Sequence, residues 1–344
     1  MSLSPHASPL RGSLPPEGAD PARCGPTPDR LSPHAPPQRV AQVAVVGVGN
    51  MGGAMAARLC EQGWSVVACD IDPERQRQVQ AAGAWLADTP QRAAQALCPD
   101  GVLIVCVVNA AQSRDVLLGT QGALVALRPG QTVMLCPTMS PQDTEALAES
   151  LLVQRVGCID APMSGGPARA RDGSMSLMLA APDALLARHD ALLAALSGQR
   201  FRISERVGDG ARTKLVNNLL AGINLVGAAE ALALADRLGL DLSTTLGVIE
   251  QSSGQSWIGS DRMRRALADD LVPRAHITLL AKDTALALAA ARQVGFAGPL
   301  GARAARVFEQ AAACDAHSDD AVLLKHLRES PGAPGPESGN EAQG

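Results

Sequence analysis

Hydrophobic positions along this chain follow two different periods, and the change of period divides it. Short apolar runs at 41–46, 64–69, 102–108 and 132–136 predict strands. Between them, patterns of helical period predict helices over 51–62, 74–82 and 90–97, with a brief strand near Trp85. The run at 102–108 is apolar without alternation, as expected of a central parallel strand covered on both faces. Further strands are expected at 174–180 and 201–207, around a helix over 184–196. From Gly210 strand runs cease. A long helix is expected from there towards Leu238, with Gly239 as its C-terminal cap. Helices over 243–251, 277–294, 299–313 and 320–327 follow. The expectation is an α/β domain over 41–207 joined to an all-α domain over 208–328.

The two ends have a different character. Ten prolines fall between Pro5 and Pro37, among glycine, serine and scattered charge. That composition predicts unfolded tails over 1–40 and 329–344. Net charge is −4 with both signs interspersed, aromatics are 2 % and tyrosine is absent. Neither a basic field nor a stacking surface for nucleic acid is therefore expected. The apolar runs read as too short for a membrane span. The eight cysteines form no CxxC pair and no metal cluster with histidine. Cys69, Cys106, Cys136 and Cys158 fall in or beside strands, where a thiol packs as a small hydrophobe. A reducing cytoplasm is the compartment this implies.

Candidate chemistry begins where the first strand ends, at Gly47-Val-Gly49-Asn50-Met51-Gly52. Strand, glycine turn and helix in that order form a dinucleotide fingerprint, so the α/β part reads as Rossmann-type. Gly47 permits the turn, Gly49 lets backbone approach a pyrophosphate, and Gly52 allows helix to pack on strand. Asp70 ends the second strand, where a carboxylate bonds ribose hydroxyls and repels a 2'-phosphate, so NAD is favoured over NADP. Asn109 and Gln112, at the end of the 102–108 run, are expected along the dinucleotide. Thr138 is placed towards its nicotinamide side, although the same stretch suits a helix cap at Ser140. The loop holding Ser164, Gly165 and Gly166 gathers a hydroxyl and two glycine amides, a group able to hold a carboxylate. An ordinary glycine-proline loop remains equally compatible.

Lys214 and Asn218 stand four residues apart in the long helix, on one face. Lys214 reads either as a snorkelling side chain or as a group held near a substrate hydroxyl. Ser253 and Gln255 lie in a polar turn that would border a pocket, with Trp257 in the core. Lys282 either snorkels or offers charge to an anionic substrate, and Asp283 pairs with a neighbour.

Taken together, Gly-Asn-Met51-Gly52, Asp160-Ala-Pro-Met-Ser-Gly-Gly166, the segment from Gly208 to Asn218, and Lys282-Asp283 resemble the β-hydroxyacid dehydrogenases. The resemblance spans about 43–327. It implies Lys214 as catalytic lysine with Asn218 beside it, and Ser164, Gly165 and Gly166 on the substrate carboxylate. It further implies Lys282 at the cleft between substrate and cofactor, NAD as cofactor, and homodimers or homotetramers built through the helical part. The segments 219–223, 252–257 and 319–322 are most similar to the branch acting on four-carbon sugar acids such as L-threonate. Substrates next in line are 3-hydroxyisobutyrate and tartronate semialdehyde. Met163 and Thr284 stand where the family usually has valine and an aliphatic residue. Imine reductases share the fold but generally replace the lysine, so Lys214 argues for an alcohol. A non-catalytic protein that senses NAD or a metabolite is the rival class; it predicts a degraded site, whereas Lys214, Asn218 and Ser164 are all present.

Overall fold

Alternating inward residues of the first strand explain the core. In the computed structural model, which describes residues 40–329, β1 (Ala41–Val46) sends Val43 and Val45 to one face of a sheet and Ala44 and Val46 to the other. With it pair β2 (Val66–Cys69), β3 (Trp85–Leu86), β4 (Leu97–Val105), β5 (Thr132–Leu135) and β6 (Gly157–Asp160), all parallel, in the order β3-β2-β1-β4-β5-β6. Past β6 the sense changes. β7 (Met163–Ser164) runs antiparallel to β8 (Ser176–Ala180), β8 meets β6 antiparallel at Asp160, and β9 (Gln199–Ser204) runs parallel to β8.

One face is covered by α1 (Asn50–Glu61) and α2 (Pro73–Ala81), with Met55, Leu59 and Val79 in its core. The other is covered by α3 (Pro90–Gln95), α4 (Ala110–Leu118) and α5 (Pro141–Val153), through Ala93, Leu117, Leu147 and Leu151. Then come α6 (Gly166–Asp172), α7 (Asp183–Arg188) and α8 (Asp190–Leu196). The remainder is helical. Around α9 (Asp209–Arg237) pack α10 (Leu242–Glu250), α11 (Trp257–Leu267), α12 (Ile277–Gln293), α13 (Pro299–Cys314) and α14 (Leu323–Glu329). Leu225, Leu232, Met263, Phe308 and Leu323 form their core. Gly222 lets α12 approach α9 closely: a Cβ there would lie 2.7 Å from Thr284 Cγ2. The threonine that departs from the family pattern is thus packed against a glycine, with its hydroxyl bonded to the Leu280 carbonyl. Past the last turn of α9, Gly239 takes φ +72° and closes the helix as expected.

Several expectations are corrected. The central strand spans Leu97–Val105, not 102–108: Leu97 already pairs with Ala41, across an irregularity, and the chain leaves the sheet at Cys106. Val108 is exposed. The helix expected over 184–196 breaks at His189, whose Nε2 lies 2.8 Å from Thr132 Oγ1. Trp257 is 48 % exposed rather than buried, because it opens α11, a helix the apolar pattern did not announce. α9 is long and apolar enough, by composition, to cross a membrane, contrary to the sequence reading of the apolar runs. Here it carries buried Lys214 and Asn218 and packs against α5 and against α10 to α14. The expected tails lie outside the described residues, apart from Val40 and Glu329.

Candidate active site

At the carboxyl end of β1, Gly47 has φ +87°, and a Cβ on it would come within 2.6 Å of the Cys106 carbonyl. A Cβ on Gly52 would lie 2.0 Å from the Gly47 carbonyl, so helix and turn touch through bare backbone. Gly49 differs: nothing lies within 4 Å of its Cβ position. It precedes α1, and no side chain caps that helix. Helix amides without a side-chain cap, beside open space, fit the pyrophosphate of a dinucleotide. Met51 packs against the core behind the turn. Asp70, just past β2, accepts the Val48 amide at 2.6 Å and the Asp72 amide at 2.9 Å. That carboxylate is therefore fixed against the glycine turn. Asn50 reaches across to the helical part, donating to the Arg274 carbonyl at 3.1 Å.

Asn109 and Gln112 cap α4 reciprocally. The Gln112 amide donates to Asn109 Oδ1 at 2.9 Å and the Val108 amide to Gln112 Oε1 at 2.8 Å. Both stand at the carboxyl end of β4, where ligands of such sheets bind. Ser140 caps α5 through the Asp143 amide. Its neighbour Thr138 accepts the Lys282 ammonium on its backbone carbonyl at 2.8 Å. Lys282 thus joins α12 to the end of β5.

Lys214, Asn218 and Asp283 are buried together. Asn218 donates to Asp283 Oδ2 at 2.5 Å and accepts from Asn217 Nδ2 at 3.0 Å, which fixes its amide. Lys282 Nζ lies 2.7 Å from Asp283 Oδ1, an ion contact without hydrogen-bond direction. Burial pulls the Lys214 ammonium down to about 8, against the opposing pull of Asp283 and with a smaller push from Lys282. Snorkelling is excluded for Lys214, which is 8 % exposed. A buried amine of this kind can both accept and donate a proton near neutral pH. Asp283, expected only to pair with a neighbour, is the hub of this cluster. Its position within an apolar helix was the signal, but its partner sits 65 residues away.

Ser164 ends β7 and Gly165 follows it, with Gly165 at φ +130° and Gly166 at φ +76°, backbone that favours glycine. Arg169 packs beneath Gly165, and its guanidinium stacks over Trp257 at 5.8 Å. Ser253 and Gln255 are exposed on the turn before α11 and make no hydrogen bond to the Lys214 cluster. Among the described residues no group of three or more metal-ligating side chains occurs, and the cysteines are free thiols.

Comparison with known proteins agrees with this fold. Residues 42–205 match the NAD binding domain of 6-phosphogluconate dehydrogenase, and residues 208–327 match the NAD-binding domain of NADP-dependent 3-hydroxyisobutyrate dehydrogenase. L-threonate dehydrogenase of Cupriavidus necator is 36 % identical over 285 residues, 82 % of this chain and 95 % of that protein. 3-Hydroxyisobutyrate dehydrogenase of Pseudomonas aeruginosa is 33 % identical, over 80 % of this chain and 94 % of its own. A crystal structure of 3-hydroxyisobutyrate dehydrogenase from Salmonella typhimurium superposes with TM-score 0.77 at 32 % identity, covering 83 % of this chain and 99 % of the other. Fold and site together define an NAD-binding oxidoreductase acting on CH–OH groups. The chain belongs to the β-hydroxyacid dehydrogenase family, the relatives of 3-hydroxyisobutyrate dehydrogenase.

Proposed function

We propose that this enzyme oxidises the C2 hydroxyl of L-threonate to the 2-oxo acid, with NAD preferred over NADP and Lys214 as general acid and base. The observation that carries the mechanism is the buried Lys214–Asn218–Asp283 cluster, whose amine is brought to about 8. Substrate identity is supported by the relatives named L-threonate dehydrogenase, at 32–36 % identity. The pyrophosphate-binding role falls to Gly47, Gly49, Asn50, Met51 and Gly52. Asp70 serves the adenosine ribose, while Asn109, Gln112, Thr138 and Lys282 line the rest of the dinucleotide. NAD supplies the hydride acceptor. Ser164, Gly165 and Gly166 hold the substrate carboxylate, which fixes the carbinol carbon. Ser253, Gln255 and Lys282 complete the substrate side. Lys214 takes the hydroxyl proton as the C–H pair leaves as hydride, and returns it to the carbonyl oxygen in reduction. Asn218 orients the amine or a substrate hydroxyl.

We read the boundary between the two domains at 207/208, the site of action as the cytoplasm, and the working form as a homodimer or homotetramer. 3-Hydroxyisobutyrate is the second reading, favoured by the P. aeruginosa relative. The test is NADH formation across L-threonate, D-threonate, D-erythronate, 3-hydroxyisobutyrate and D-glycerate, with NAD and with NADP. Highest kcat/KM for L-threonate with NAD supports the proposal; highest for 3-hydroxyisobutyrate overturns the substrate but not the mechanism. Lys214→Ala should lower kcat by about 10²–10⁴-fold with NAD affinity intact. Near-normal kcat in that variant would remove Lys214 from the mechanism.

A further inference from the structure

Asp160 is the last residue of β6 and is 2 % exposed. Its Oδ2 accepts the backbone amides of Gly208 at 2.8 Å and Ala211 at 3.0 Å, and the Gly210 amide also bonds to the carboxylate. These are the N-terminal amides of α9, which has no side-chain cap of its own. A carboxylate from the sheet therefore caps the helix that carries Lys214. The fit is close, since a Cβ on Gly210 would lie 2.9 Å from the carboxyl carbon of Asp160. Lys214 follows Gly210 by one helical turn. In the other direction, the chain runs from Asp160 through Ala161, Pro162 and Met163 into Ser164, Gly165 and Gly166. That short path is tied down at both sides, Ala161 to the Leu135 carbonyl and the Pro162 carbonyl to Met178.

We propose that Asp160 is a positioning residue that sets the distance between Lys214 and the carboxylate loop. Its side chain docks the lysine helix while its main chain leads into the loop, so one residue holds both halves of the site in register. The inference rests on reading Lys214 as the acid–base group. The groups facing Asp160 are Asp209 on α9, Cys136 beyond β5 and Cys158 on β6, with the Glu145–Arg212 pair beside Gly208. Burial pushes the Asp160 carboxyl up to about 6, opposed by the three amides and helped by Asp209. The docking charge thus disappears within a range in which the enzyme can be assayed.

The test uses the full-length enzyme in the reductive direction, with NADH and the 2-oxo acid, where protonated Lys214 is the active form. Asp160→Asn keeps an acceptor oxygen for the amides but cannot ionise; Asp160→Ala removes both. Asp160→Ala should lower kcat about 100-fold, while KM for NADH stays within about threefold, since a displacement of about 1 Å costs that much. Asp160→Asn, neutral like the protonated acid, should recover only part of kcat, to the level the wild type reaches on its acid side. In the wild type, kcat should fall on the acid side of about pH 6, and that limb should be absent in Asp160→Asn. Survival of the acid limb in Asp160→Asn, or unchanged kcat in Asp160→Ala, overturns the proposal. Should Asp160→Ala not fold, the profile of Asp160→Asn decides alone. An inactive Lys214→Ala beside Asp160 variants of wild-type kcat and profile would sink this inference only. An active Lys214→Ala would sink the mechanism beneath it.

Discussion

Lys214 is a cation placed where a charge is costly, and its neighbours decide how costly. Removing an ammonium from water favours its neutral form, whereas Asp283 favours the charged one and Lys282 opposes it. With the amine at about 8, roughly one molecule in ten is ready to accept a proton at pH 7. Oxidation needs the neutral amine, so kcat for the hydroxy acid should rise with pH to a plateau above about 8. Reduction needs the ammonium, so its kcat should fall through the same region. The neighbours supply a sharper check. Asp283→Asn removes the influence that holds the proton on, and the oxidative midpoint should move to lower pH. Lys282→Ala removes a like charge, and the midpoint should move to higher pH. Rate profiles of the three proteins in both directions would settle it; shifts of the same sign in the two variants would contradict this account of Lys214.

At the scale of single elements, the glycine turn and first helix show what could be read early and what could not. Gly47, Gly49 and Gly52 were legible because their spacing is fixed by local geometry: one turn, one approach, one contact of helix on strand. The structure separates their tasks. A methyl group on Gly52 meets the Gly47 carbonyl, whereas one on Gly49 meets nothing. Gly52→Ala should therefore lower the melting temperature by several degrees, roughly 2–4 °C for each kcal/mol of strain. Gly49→Ala should leave melting nearly unchanged yet weaken NAD binding about tenfold, the equivalent of one lost close contact near 1.4 kcal/mol. Calorimetry and titration with NAD check the pair, and equal melting losses in both would refute the division. Asn109 and Gln112 carried a different lesson. Polar residues after a strand suit a ligand, but the same residues at that spacing cap the next helix, and here they visibly do. The start of β4 was hidden because Cys98-Pro99-Asp100-Gly101 breaks the apolar run. Asp160 and Asp283 were hidden for another reason: each works through a partner about 50 or more residues away, a relation periodicity cannot carry.

For the whole molecule, the order of sheet then helices was plain in the sequence, but the outward faces of the helical part were not. α9 is apolar nearly all round, so its pattern alone does not separate the face packed within the chain from any other. The structure does. Leu225, Ala229 and Leu232 are buried, whereas Val216, Leu220, Gly227, Ala231, Leu234 and Leu238 are exposed in a line along the helix. Their separations of three, four and seven residues keep them on one stripe. An exposed apolar stripe of that kind suits the subunit contact of the proposed homo-oligomer. In the homo-oligomer proposed above, a two-fold contact would be self-complementary, and α9 against its own symmetry mate would set leucine beside glycine and alanine. Leu220→Asp and Leu234→Asp would each bury a carboxylate among apolar side chains in such a contact, at a cost of several kcal/mol. Sedimentation of the double variant should give the mass of one chain, against a multiple for the wild type. NAD binding should persist, because the stripe lies on a helix outside the glycine turn. A wild-type enzyme that sediments as a single chain, or a double variant that still assembles, would remove α9 from the assembly.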